Sequence, residues 1–206
     1  MDVSERIART LERAKDPHAL DTVTLYGDIG NLIVQYANNE SVFLRMLGSL
    51  IGDAATADVV FFAHKNTQGR LDLLATLAVE KITEPALLKE FQDLHRHFKN
   101  LGKTRNFYAH ARYEMTAKGG PVAAIGVIFD NQSNQFRDKK VKFDRAGRHE
   151  LAQCGTKFKE LNSRLIEFAQ RLDDWLLAQT EGQPRLPASR QYQIMIRPSP
   201  RTPRRR

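Results

Sequence analysis

Hydrophobic positions recur along most of the chain at steps of three and four, the spacing of helices that bury one face. Residues 2–15 are predicted to form a short charged helix with Ile7 and Leu11 as an apolar pair four apart, stopped by Asp16-Pro17. A second helix is predicted from about Leu20 to Ala37, with Leu25, Ile29, Leu32, Ile33 and Tyr36 as its apolar face, broken by Asn38 and Asn39. A third opens near Glu40 and carries Val42, Phe43, Met46, Leu47, Leu50 and Ile51. The run Val59 to Ala63 is short and β-prone, and is read as mixed or helical. A fourth helix spans Thr67 to Lys81, with Leu71, Leu74, Ala75, Ala78 and Val79 inward. Thr83-Glu84-Pro85 then supplies a capping hydroxyl, an acid and a first-turn proline.

The helix opened there holds the most informative stretch. Leu87, Phe91, Leu94, Phe98 and Leu101 form its seam, and continuing the rhythm gives Arg105, Tyr108, Arg112 and Met115. This helix is expected to run to Gly119-Gly120-Pro121. The period then changes. Val122 to Phe129 is β-rich, Asp130 to Asn134 has turn chemistry, and Gln135 to Phe143 alternates apolar with charged, which predicts a β-hairpin over about 122–143. It would serve as a lid or partner-binding arm, or cover one end of the bundle. Asp144 can cap a last helix to about Gln179, carrying Leu151, Phe158, Leu161, Leu165, Phe168, Leu172, Trp175 and Leu176, with Gly155 a candidate bend. The expected fold is mainly α: an antiparallel helical bundle over residues 1–180, with the hairpin inserted before the last helix.

Charge changes this picture at one end only. The 206-residue chain has a formal net charge of +8. Residues 181–206 carry seven Arg against one Glu, or +6, which leaves +2 for the body. The five prolines of that tail make it a poor helix or strand, so it is expected to be disordered. It reads equally as an arm for RNA or DNA phosphates and as a solvated terminus. A single cysteine, Cys154, excludes a disulfide framework and a cysteine metal site. The charged opening residues lack the apolar block of a signal peptide, and no apolar run approaches the ~20 residues needed to span a bilayer. A soluble, cytoplasmic protein is expected.

Candidate chemistry concentrates at residues 102–112. On the seam, Arg105 stands where a Leu is due, and a buried Arg is costly unless paired or facing a polar cavity. Asn106 and His110, four apart, share a neighbouring face. The alternative is a structural Arg bound to a carboxylate such as Asp72 or Glu80, and a satisfied helix His. His95 and His97 diverge on their helix and suit no shared metal. His64 and His149 are isolated, Cys154 reads as a buried small residue, and no phosphate-cradling glycine loop is present.

Arg105-Asn106-x-x-x-His110 near the end of a long helix resembles the signature of the HEPN superfamily of helical-bundle proteins. The resemblance implies a HEPN-like bundle and a metal-independent endoribonuclease with no cofactor, in a toxin–antitoxin, phage-defence or RNA-processing setting. It implies that Arg105, Asn106 and His110 are catalytic, and that Arg105 and His110 meet their symmetry mates across a homodimer. The chemistry fits. Histidine titrates near neutral pH and can act as base or acid, and the planar guanidinium matches phosphate oxygens. Single-stranded RNA exposes its bases and 2′-hydroxyl, and is the expected substrate. Tyr108, Arg112 and Lys103 are the expected substrate contacts, with Glu114 available to hold His110. An antitoxin or other protein is a further implied partner. The alternative is a noncatalytic HEPN-like module that binds RNA or a protein through the same groove and tail.

Overall fold

The computed structural model describes residues 17–117, 120–130 and 135–180. The expected helix over 2–15, the hairpin tip and the tail from 181 lie outside the described residues. Within them the chain is mainly helical, with α1 (Pro17–Ile51), α2 (Ala54–Ala63), α3 (Thr67–Lys81) and α4 (Pro85–His110) preceding three strands, β1 (Arg112–Met115), β2 (Pro121–Asp130) and β3 (Gln135–Lys142), and α5 (Arg145–Thr180) following them.

The expected break at Asn38-Asn39 does not occur: α1 is one helix of 35 residues. Asn39 is fully buried, and its Nδ2 donates to the Gln35 carbonyl at 2.7 Å and, across the bundle, to the Phe158 carbonyl of α5 at 3.1 Å. An amide that finds buried partners from within the helix has no reason to end it. Gly52 ends α1 instead, at φ 79°, with its N–H donating to the Gly48 carbonyl at 2.8 Å. Asp53 then caps α2 by accepting from the N–H groups of Ala55 and Thr56, each at 3.2 Å. The β-prone Val59–Ala63 run is thus helical. Asn66 caps α3 through the Gly69 N–H, and α3 keeps the predicted bounds. The cap of α4 is Glu84 rather than Thr83, with Pro85 in the first turn and no side-chain cap bond.

The core is aromatic. Phe43, Phe91, Phe98, Phe158 and Phe168 are fully buried with Leu94, Leu161 and Leu165. Contacts fix the helix directions. Phe91 meets Phe168, Glu90 meets Arg171 and Phe98 meets Phe158, so α4 and α5 run antiparallel. Asp21 pairs with Arg148 and Arg45 with Asp173, so α1 and α5 run parallel to each other, and both are antiparallel to α4, which lies against α1 with His95 at Phe43 and Arg105 at Tyr36. Val79 and Ile33, expected inward, are exposed.

The larger departure lies after His110. The helix does not continue to the glycines; Ala111 is extended at φ −67°, ψ 146°. Residues 112–115 instead pair antiparallel with β2, Tyr113 opposite Ala124. The hairpin predicted over 122–143 is present as β2 and β3, joined by β1 into a three-stranded antiparallel sheet of order β1-β2-β3. Strand pairing competes with the helix for these backbone groups, and the Tyr113 hydroxyl donates to the Tyr108 carbonyl, one of those a helix end leaves open. Gly126 lets the sheet lie on α4, since a Cβ there would stand 3.0 Å from the Phe107 ring. Val141 and Phe143 are buried, so the sheet covers this end of the bundle. Asp144 caps α5 as expected, accepting from the Gly147 N–H at 3.0 Å, and α5 continues through Gly155.

Candidate functional site

The last two turns of α4 carry the motif, and they are held against α1 by a ring. Tyr36 is buried, stacked on Phe98 at 4.6 Å and edge-on to Phe158 at 5.8 Å. It lies against α4 where Gly102 leaves room: a Cβ at Gly102 would come 3.2 Å from the ring. One turn later, the Arg105 guanidinium carbon sits 4.1 Å from the Tyr36 ring centroid, a cation–π contact. Arg105 Nη1 donates to Asn106 Oδ1 at 2.7 Å, and its Nε is buried without a partner. The cation on the seam is therefore met by an aromatic face and an amide. No carboxylate among the described residues pairs with it, and Asp72 faces Lys99 instead, at 3.7 Å.

The Tyr36 phenol connects this group to α3. The Thr67 hydroxyl lies against it and donates to Glu40 Oε1 at 3.0 Å, and Arg70 Nη1 reaches the same oxygen at 2.9 Å. Burial raises the Tyr36 pKa, against the opposing pull of Thr67, Arg105 and Arg70.

His110 is the last residue of α4 and is exposed. No described residue hydrogen-bonds to its imidazole. Five residues on from Arg105, it points about 140° away around the helix and ~7.5 Å along it. One chain therefore brings Arg105 and Asn106 together but not Arg105 and His110. Asn106 is exposed on the side nearer His110.

The expected substrate contacts divide. Lys103 is exposed on α4, and Arg112 is exposed on β1 opposite Ile125 rather than on a helical seam. Neither has a partner among the described residues. Tyr108 does not join them. It is fully buried, with its hydroxyl enclosed, and its ring meets Phe107 edge-on at 5.2 Å, so it packs the core and lines no groove. Burial, with Glu150 and Cys154 nearby, pushes its phenol far above the usual range. Glu114, expected at His110, lies on β1 and binds Lys140 at 2.6 Å instead.

Tyr36 and Gly102 are the residues the sequence did not assign to the site. Tyr36 reads as one more apolar position. Gly102 was the available signal, because glycine inside a helix is unfavourable unless something approaches closely.

The remaining candidates stay outside. His95 is half-buried, stacked on Phe91 at 5.8 Å, with Nε2 unpartnered. Burial, then Lys99, holds its pKa below the ordinary value, and burial with Arg164 and Lys157 does the same at His97. Burial pushes the Cys154 thiol up to about 11, which suits a packed cysteine and not a nucleophile. Among the described residues no group of three His, Cys, Asp or Glu could hold a metal ion, and no helix is long and apolar enough to cross a membrane.

Compared with known proteins, the chain matches no family model, no curated protein and no solved structure.

Proposed function

We propose that this chain is a HEPN-like, metal-independent endoribonuclease that cleaves single-stranded RNA as a homodimer. The observation that carries the reading is the end of α4: a cation held in place beside an amide, and an unengaged imidazole exposed one and a half turns further on. In the reaction, one His110 takes the 2′-hydroxyl proton. The oxygen attacks the adjacent phosphate, and His110 of the partner subunit protonates the leaving 5′-oxygen. The paired Arg105 groups meet the charge that develops on the phosphorane, and Asn106 fixes the guanidinium or the phosphate. Lys103 and Arg112 flank the motif and would contact the RNA backbone.

Two chains are needed because one places Arg105 and His110 on diverging faces. An exposed face of α1 suits a second copy. On α1, Val23, Tyr26, Ile33 and Val34 are exposed in a stripe turned away from the core. Gly27 and Gly30 lie in the same stripe, and nothing stands within 4 Å of where their Cβ atoms would be. An apolar stripe open to solvent marks an interaction surface, and glycines let a second helix approach closely.

A second reading, a noncatalytic module binding RNA or a protein, draws on the same divergence, together with an Arg105 already occupied by Tyr36 and Asn106. The deciding experiment is cleavage of a mixed single-stranded RNA pool in EDTA by wild type, Arg105→Ala and His110→Ala, each first checked for folding and mass. Cutting by wild type alone, leaving 2′,3′-cyclic phosphate ends, supports the nuclease. RNA binding by all three without cutting supports the module. Val34→Glu should halve the solution mass and abolish cutting; a monomeric wild type that cuts would sink the shared site. Growth arrest on expression that His110→Ala relieves would favour a toxin or defence effector.

A further inference from the structure

We infer that Tyr36 is the positioning residue for Arg105: its ring, set edge-on against α4 at Gly102 with a face turned to Arg105, fixes the plane of the guanidinium and so the direction of its free edge. The catalytic consequence rests on the nuclease reading above; the positioning itself rests on geometry alone.

An exposed arginine samples many rotamers, and a planar fork aids phosphate recognition only when its plane is set. Three constraints set it here. The ring lies under the guanidinium at 4.1 Å. Asn106 Oδ1 takes Nη1 at 2.7 Å. Nε is enclosed. Nη2 is the remaining nitrogen, neither bonded to a described residue nor among the buried unpartnered atoms, and it is the edge left for a phosphate oxygen.

The ring has no freedom to follow the arginine. Phe98 stacks on it and Phe158 meets it edge-on. Its phenol end abuts Thr67, which donates to Glu40, and Glu40 is also bonded by Arg70. Tyr36 is thus clamped from α3, α4 and α5. Gly102 is the complement on α4, because any side chain there presses on the ring from 3.2 Å. Helices ordinarily favour Ala over Gly, so a glycine at this one position, a turn before the arginine, is explained by the ring.

The test is the Arg105 Nε–Hε signal in nitrogen-15 NMR spectra, identified by its absence in Arg105→Lys, together with RNA cleavage kinetics. In wild type the signal should carry a ring-current shift. Tyr36→Phe should keep both the shift and the rate. Tyr36→Leu should lose the shift and lower kcat by about 10- to 100-fold, with KM within about twofold, the loss expected from misplacing a charge by an ångström. Gly102→Ala gives an independent arm should Tyr36→Leu fail to fold: the pressed ring should move the Arg105 signal and lower kcat. An Arg105 signal unmoved in either variant overturns the inference. So does a shifted signal with unchanged kcat, or a Tyr36→Phe variant as slow as Tyr36→Leu. If the wild type cuts no RNA, the nuclease reading falls, and the NMR comparison still decides whether Tyr36 holds Arg105.

Discussion

Asn39 offers the sharpest test of how the bundle is held. Its side chain is fully buried between α1 and α5, donates twice and has an Oδ1 with no partner. Asn39→Ala removes both hydrogen bonds, at a net of about 1 kcal/mol each. It also leaves a small void that adds about 1 kcal/mol. The accepting carbonyls lie inside helices and are not orphaned, so the total should be about 2–3 kcal/mol, or ~5–10 °C in melting temperature for a domain of this size. Asn39→Asp keeps the shape and should be worse. A carboxylate would face two carbonyl oxygens with no proton to donate, which costs about 4 kcal/mol at neutral pH. The pH dependence has a definite sign. Burial raises the introduced carboxyl's folded pKa above its unfolded value of about 3.9, so the deficit is smallest below pH ~4 and grows as pH rises. Urea midpoints at pH ~4 and ~7 measure this. An Asn39→Asp deficit that matches Asn39→Ala at neutral pH, or that does not shrink in acid, refutes the reasoning.

Three further outcomes follow from single contacts. Gly147→Ala should destabilise by about 3 kcal/mol or more, because its Cβ would stand 1.9 Å from the Lys142 carbonyl oxygen; Asp144→Ala, which loses only the cap, should cost about 1 kcal/mol, and chemical denaturation separates the two. His95 has a depressed pKa from burial first and Lys99 second, so its contribution to stability is present above the ordinary value of about 6.5 and is lost as pH falls; His95→Phe should flatten the acid limb of the stability curve, read from urea midpoints across that range. Burial raises the phenols of Tyr36 and Tyr108 and pushes Tyr113 up to about 12, so their contribution is present below about pH 10 and lost above it; absorbance at alkaline pH should show fewer phenolates in native protein than in urea.

The helical seams were legible in the sequence because periodicity reports which face is buried. Phe91, Leu94, Phe98 and the α5 seam from Leu151 to Leu172 lie in the core as their spacing requires. The bounds of α3 and the cap at Asp144 were legible because capping chemistry is local. What escaped depends on distant partners. Asn39 reads as a breaker until α5 supplies the Phe158 carbonyl. Ile33 fits the inward pattern but falls on the exposed stripe of α1. The cation–π partner of Arg105 lies 69 positions away on α1, and nothing in the motif names Tyr36.

The sheet also changes what the motif is. In a helix running on to the glycines, Arg112 and Met115 would extend the seam, and Glu114 would sit one turn from His110. Pairing of β1 with β2 withdraws all three from that helix, and Glu114 goes to Lys140. The Tyr113 hydroxyl then closes the helix end on the Tyr108 carbonyl, while its ring stacks on Phe143 at 6.0 Å and meets Tyr26 edge-on at 6.1 Å. Those contacts tie the end of α4 to α1, beside the stripe proposed for a second copy. His110 is left as the terminal helical residue, free of the acid expected to hold it. The inserted strands therefore set where α4 stops, and that stop decides that His110 faces solvent while Arg105, a turn and a half earlier, faces Tyr36.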